Sequence, residues 1–245
     1  MSAGNASRCS GRYVHVSTDR VVAGMREAGW LPVDVEEQRC VSADRVGFQK
    51  HAVSFRRAEQ MQTLDEYNVE LKLINSHDGG CAYQLHAGIY RRICSNGLVV
   101  ADSGFEAIRY RHVGLTVEEV IRGSLDLADA IPALSDRIDE MRHHSMTEEA
   151  QVGFARRAIA SRWETAPPVE VEDILSPRRS EDAGSDLWRV MNRVQENVLK
   201  GGVDYTAANG RTRRTRGLRG IDSRVTVNKA IWSIAEATMR GVYDN

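Results

Sequence analysis

The chain has 245 residues, 42% of them hydrophobic and 27% charged, with a formal net charge of -1, the profile of a soluble globular protein that can bury a sizeable core. No stretch reaches the ~18 to 20 uninterrupted apolar residues of a membrane span, and the polar start MSAGNASRCSGR lacks the apolar run of a secretory signal, so a cytoplasmic protein without membrane contact is expected. Cys9, Cys40, Cys81 and Cys94 form no C-x-x-C pair, and reduced thiols are the expected state.

Residues 1–12 are small and polar and are read as a disordered N-terminus ahead of a single α+β domain over 13–245. From Tyr13 the chain predicts a short strand, then a helix from about Thr18 to Ala28 with Ser17 as N-cap and Gly29 as its left-handed stop, then a second strand. Val21, Val22 and Met25 give that helix its apolar face. The result is a small β-α-β start.

Between Gly47 and His112 the period changes to two. The runs GFQKHAVSFRRA, YNVELKLINSH, CAYQLHAGIYRRICS and GFEAIRYRH are separated by the turn signals HDGG, SNG and DSG, which predicts an antiparallel meander with one face covered by helices and the other open. Asn75, Asp78, Ser95 and Asn96 are expected to shape its turns, with Gly79, Gly80 and Gly97 at positive φ.

The C-terminal half reads as helical and is expected to pack the sheet. A long helix follows Thr116 and is kinked or broken near Pro132; a second runs from Thr147 to about Trp163. A linker or loop then covers about 165–185, with Pro167, Pro168 and Pro177. A third helix spans Asp186 to Lys200, with Leu187, Met191, Val194 and Val198 on one face, and a fourth spans about Val225 to Arg240. Between these last two lies a basic loop of about 201–224, longer than most connections in compact domains.

Charge concentrates in that loop. Lys200, Arg211, Arg213, Arg214, Arg216, Arg219, Arg224 and Lys229 face only Asp204 and Asp222, a local +6 that leaves -7 on the rest of the chain. A field this local marks a site, or else a solvated charge run.

The strings LINSHDGGCAYQLHAGIYRRICSNGLVV, NRVQENVLKGG and RTRRTRGLRGIDSRVTVNKAIW together resemble the phage- and plasmid-associated proteins grouped as domain of unknown function 932, over roughly Tyr13 to Met239. The resemblance implies a setting in mobile genetic elements, where DNA processing, recombination and host defence gather. It carries no reaction.

Three chemistries remain. The first is nucleic-acid binding, with DNA and its single-stranded form foremost and annealing as one outcome. Arg211, Arg213, Arg214, Arg216, Arg219, Arg224 and Lys229 would hold phosphates, and Arg91, Arg92, Arg109 and Arg111 would extend the track if the loop folds beside the sheet. Tyr83, Tyr90 and Tyr110 are candidate stacking platforms or core. The second is a metal-dependent nuclease using Glu70 and Lys72, which alternation places on one strand face; the upstream acid it needs is not obvious, Asp65 being too close in sequence and Asp44 a bare candidate. The third is a protein-binding module whose partner is a host defence or replication protein. His77, Cys81, His86 and Cys94 lie close in sequence, but spacings of 4, 5 and 8 match no structural zinc pattern. His77 beside Asp78 is explained as part of a turn. No catalytic residue, metal or cofactor is assigned, and no nucleotide-binding or hydrolase signature is present.

Overall fold

The computed structural model describes residues 12–40, 43, 46–61, 67–91, 97–99, 108–112, 114–128, 131–163, 169–207 and 209–243; residues 1–11, which include most of the expected disordered start, lie outside them. The fold is α+β, with an antiparallel sheet in the N-terminal half and most helices in the C-terminal half. The chain divides into two compact units, one of Met1–Gly97 with Ser103–Ile131 and one of Leu98–Asp102 with Pro132–Asn245. Among the described residues no helix is long and apolar enough to cross a membrane.

The first unit opens with helix α1 (Thr18–Glu27), which buries Val21 and Met25 completely and gives way to Gly29 at φ +84. Residues 13–17 form no strand, so the β-α-β start is corrected. The Val14 N–H instead donates to the His112 carbonyl at 2.6 Å, and the Tyr13 ring stacks on His112 at 4.6 Å. These bonds do the anchoring that a ladder would otherwise supply. Strands β1 (Trp30–Glu37), β2 (His51–Arg57), β3 (Tyr67–Asn75), β4 (Tyr83–Arg91), β5 (Gly97–Val99) and β6 (Ile108–Tyr110) make one sheet in the order β1-β2-β3-β4-β5, with β6 pairing β4. The ladders β1–β2, β2–β3, β3–β4 and β4–β6 are antiparallel.

One sheet face carries Phe55, Leu71, Leu73, Leu85, Ala87 and Ile89, all essentially buried. Helix α1 packs on β1, and α2 (Val117–Ala128), the first of the C-terminal helices, packs on β3 and β4. Thr116 and Glu119 close a capping box at its start: the Glu119 N–H donates to Thr116 Oγ1 at 3.2 Å and the Thr116 N–H to Glu119 Oε2 at 2.8 Å. The other face is not open, as alternation alone suggested. Ser54, Asn68, Glu70 and His86 on it are all buried.

The helix expected to be kinked or broken near Pro132 is broken into two, α2 and α3 (Ile131–His143), with Pro132 in the first turn of α3, where its missing N–H costs nothing. In the second unit α4 (Glu148–Arg162) is capped by Thr147, whose Oγ1 accepts from the Ala150 N–H at 3.2 Å. Residues 169–185 include the short helix α5 (Val171–Leu175), with Val169, Ile174 and Asp182 buried. They pack against α6 (Leu187–Lys200), whose Asn197 Nδ2 donates to the carbonyls of Ile174 at 2.8 Å and Ser176 at 2.9 Å.

Helix α6 is buried well beyond its apolar face. Its N-terminus is capped by Asp186, Gln195 bonds Asn228 at 3.0 Å, and Glu196 pairs with Arg179 at 3.0 Å and Lys200 at 2.8 Å. These partners satisfy polar groups that would otherwise be costly to bury. After Gly201 come strands β7 (Asp204–Thr206) and β8 (Thr212–Arg214), then α7 (Ile221–Met239), which begins four residues before its expected start because Ile221 is already buried and Asp222 suits the positive end.

Gly201 fixes the crossing of α6 and the chain after β8. Its φ is +65, and a Cβ there would lie 2.6 Å from the Arg216 carbonyl carbon and 2.7 Å from the Thr215 oxygen. Gly210 at φ +73 has open space around it. Gly201→Ala is expected to destabilise by roughly 1–3 kcal/mol from backbone strain plus a clash, and to lower Tm more than Gly210→Ala. Equal melting shifts would show that the close crossing matters little.

Candidate nucleic-acid interface

The basic segment folds as a hairpin because its sequence has the parts of one. Asn209 and Gly210 form the turn: the Arg211 N–H donates to Asn209 Oδ1 at 3.3 Å, and Gly210 takes positive φ. Asp204 pairs with Arg214, Tyr205 with Arg213 and Thr206 with Thr212. The root is rigid. The Gly202 N–H donates to the Thr215 carbonyl at 2.8 Å, the Thr215 N–H to the Val203 carbonyl at 2.9 Å, and the Leu218 N–H to the Leu199 carbonyl at 2.8 Å.

Arg211, Arg213, Arg214, Arg216 and Arg219 are exposed on this hairpin and its exit. Arg224 and Lys229, half-buried, belong to α7 instead. The Arg214 side chain, 73% exposed, meets Asp204 at 2.6 Å. Their hydrogen bond lowers the Asp204 carboxyl pKa and raises that of Arg214; a pair this exposed yields readily to a competing anion.

Beside the hairpin lies a recess of about 650 Å³, lined by Arg162, Trp163, Tyr205, Arg213, Arg214, Thr215 and Arg216. Arg162 belongs to the last turn of α4. Its guanidinium donates to the carbonyls of Val198 and Arg216 and lies 4.2 Å from the Trp163 ring centre, tying α4, α6 and the hairpin root together. Burial lowers its pKa. Sequence reasoning missed Arg162, Trp163 and Tyr205; an Arg-Trp pair at a helix end was the signal.

The sheet arginines belong to the first unit. Arg109 on β6 and Arg111 after it are exposed, and Arg109 sits opposite Gln84. Arg91 ends β4, and Arg92 lies outside the described residues. Of the candidate tyrosines, Tyr83 is fully buried and Tyr110 donates its hydroxyl to the Glu119 carbonyl at 3.2 Å.

Glu70 and Lys72 do share a strand face, but each is engaged across the sheet. Glu70 Oε1 meets Arg56 at 2.7 Å, and Lys72 Nζ meets Glu36 at 2.6 Å. Burial pushes the Glu70 pKa up and that of Lys72 down. Asp44 and Asp65 lie outside the described residues, and among the described residues no group of three or more His, Cys, Asp or Glu is arranged to hold a metal ion. Of the residues weighed for zinc, Cys81 and His86 flank one side chain, Gln84, whose Nε2 donates to the Cys81 sulfur at 3.2 Å and whose Oε1 lies 3.2 Å from His86 Nε2, while Cys94 is outside the described residues.

A second constellation draws its residues from four separate places in the sequence. His15, His51, His77 and His112 gather at the corner of the first unit where α1 starts, β2 starts and β3 ends. The His15 and His77 rings are 4.5 Å apart and those of His51 and His77 5.3 Å. Thr18 Oγ1 lies 2.8 Å from His51 Nε2 and 3.4 Å from His77 Nε2. His51 Nδ1 is 3.1 Å from the Gln49 carbonyl, an acceptor only, so Nδ1 carries the proton and Nε2 accepts the Thr18 hydroxyl. Burial first, and then the neighbouring histidines, push His77 down to about 4; burial also lowers His51 and His112. Asp78 does shape its turn, its Oδ1 accepting from the Gly80 N–H at 2.9 Å, with Gly79 at φ +74. Gly80 is not at positive φ, because that side-chain bond closes the turn without it.

The family described as "Domain of unknown function (DUF932)" matches residues 6–232. The chain belongs to the DUF932 family. Its relatives include two Escherichia coli (strain K12) proteins. UPF0380 protein YafZ is 35% identical and UPF0380 protein YfjQ 34% identical, each over 231 residues that cover 94% of this chain and 84% of the relative. No solved structure matches the chain.

In this DUF932 chain the strings that carried the resemblance fall on both constellations. NSHDG, residues 75–79, ends β3 and supplies His77, while NRVQENVLKGG is most of α6 and its stop. RTRRTRGLRGIDSRVTVNKAIW is β8, the hairpin exit and most of α7.

Proposed function

We propose that this protein binds nucleic acid, single-stranded DNA foremost, through the arginines of the β7–β8 hairpin. The observation that carries this reading is the set of five exposed arginines, Arg211, Arg213, Arg214, Arg216 and Arg219, on a hairpin whose root is hydrogen-bonded to the end of α6. Guanidinium groups bind phosphate oxygens bidentately, and a fixed root keeps their entropy cost low. The -7 carried by the rest of the chain makes this segment the strongest local attraction for a polyanion. A role in recombination or annealing in a phage or plasmid setting agrees with the resemblance, and a host protein is the alternative partner.

The test is a gel shift with labelled single-stranded and duplex DNA, with and without magnesium. Retarded, intact DNA independent of magnesium is expected. Magnesium-dependent shortening would favour the nuclease reading instead. No shift with either DNA would leave a protein partner as the better account.

A further inference from the structure

The chain has four tryptophans, and three are sealed in its cores: Trp30, Trp188 and Trp232 are 0%, 2% and 0% exposed. Trp163 is not. It follows α4, is half-buried rather than sealed, and lines the recess together with Tyr205 and the arginines. Its partly accessible ring lies beside concentrated positive charge, the pairing of aromatic face and cations that stacks a base and holds its phosphates.

We propose that this recess is a base-stacking subsite, in which one unpaired base of a single-stranded nucleic acid lies on the Trp163 indole while Arg213, Arg214 and Arg216 hold the flanking phosphates. The proposal rests on the nucleic-acid reading and adds the ligand's form. Arg162 lies over one face of the indole, so a base occupies the other. Tyr205, half-buried and paired across the hairpin with Arg213, forms the second aromatic wall. About 650 Å³ falls within the ~300–1,000 Å³ of sites that bury small ligands, which accommodates a base and its sugar. Stacking tolerates any base because each has a π-face, but it requires the base to be out of a duplex. Single strands are therefore the ligand class, read without sequence preference.

The test uses the full chain with Trp163→Ala and Trp163→Phe. The probes are oligothymidylate, an abasic strand with the same number of phosphates, and a duplex of equal length. Trp163→Ala should bind oligothymidylate roughly 5- to 150-fold more weakly, the loss of one base–aromatic stack, and the abasic strand as the unaltered protein does. Trp163→Phe should recover most of the affinity. Oligothymidylate should quench the tryptophan emission of the unaltered protein, and this quenching should vanish in Trp163→Ala. Unchanged oligothymidylate affinity in Trp163→Ala, or equal losses on normal and abasic strands, would overturn the stacking subsite. If single strand and duplex bind alike and respond only to arginine substitutions, the subsite fails while the nucleic-acid reading stands. If none of the probes binds the unaltered protein, both fail.

Discussion

Replacing Arg211, Arg213, Arg214 and Arg216 together by glutamine is expected to weaken nucleic-acid binding about equally across sequences and to flatten its dependence on salt. For a single strand, the slope of log affinity against log salt should shrink by about 0.7 for every phosphate that no longer has an arginine partner. The effect is strongest in dilute salt, because the hairpin's field extends over a Debye length of roughly 8 Å at physiological ionic strength and farther below it. The fold should survive. All four side chains are exposed, and the root is held by main-chain bonds of Gly202, Thr215 and Leu218 and by the backbone carbonyl of Arg216. Fluorescence anisotropy of a labelled strand over a salt series measures the slope, and a thermal melt checks the fold. An unchanged affinity and slope in a folded variant would remove the hairpin from the binding surface and put a protein partner first.

The secondary structure was legible where a local signal was strong. Period-two alternation located β2, β3 and β4, and Thr116, Thr147 and Asp186 marked helix starts because their side chains cap main-chain N–H groups a few residues away. The basic hairpin was harder. Its strands are three residues each, too short to show alternation, so Asn209-Gly210 read as part of a loop. Helix α6 exposes the limit of periodicity: its apolar face was visible, but Gln195, Glu196 and Asn197 are buried by partners as far away as Asn228 and Ile174. The recess draws on Arg162 and Trp163 at one end of α4 and on β7 and β8 some forty positions later. Only tertiary structure assembles such a site, and the four clustered histidines share no motif for the same reason.

That histidine corner should make the protein lose stability as pH falls from about 6.5 to about 4. An unfolded histidine has a pKa near 6.5, whereas His77 in the fold is pushed down to about 4 and His51 and His112 are lowered too. Across that window the unfolded chain binds protons that the folded chain refuses, so stability is full above about pH 6.5, declines as pH drops, and levels off once His77 is protonated in both states. His77 is 1% exposed, and its shift corresponds to a loss on the order of 3 kcal/mol, with His51 and His112 adding in the same direction. Asp19 on α1 and Glu37 on β1 act oppositely on His51 by favouring its charged form, while His15, His51 and His112 all oppose a proton on His77. Glu196, held below the usual carboxylate range by Arg179 and Lys200 against its own burial, loses its contribution only at lower pH. The raised pKa of Glu70 works the other way. Urea denaturation between about pH 7 and about pH 4.5 measures the slope. The variant His77→Gln keeps an amide for Thr18 but has no proton to gain, so it should be less stable at neutral pH and show a shallower decline. A decline as steep as that of the unaltered protein would mean that other groups carry the acid sensitivity, and that the corner titrates as ordinary surface histidines do.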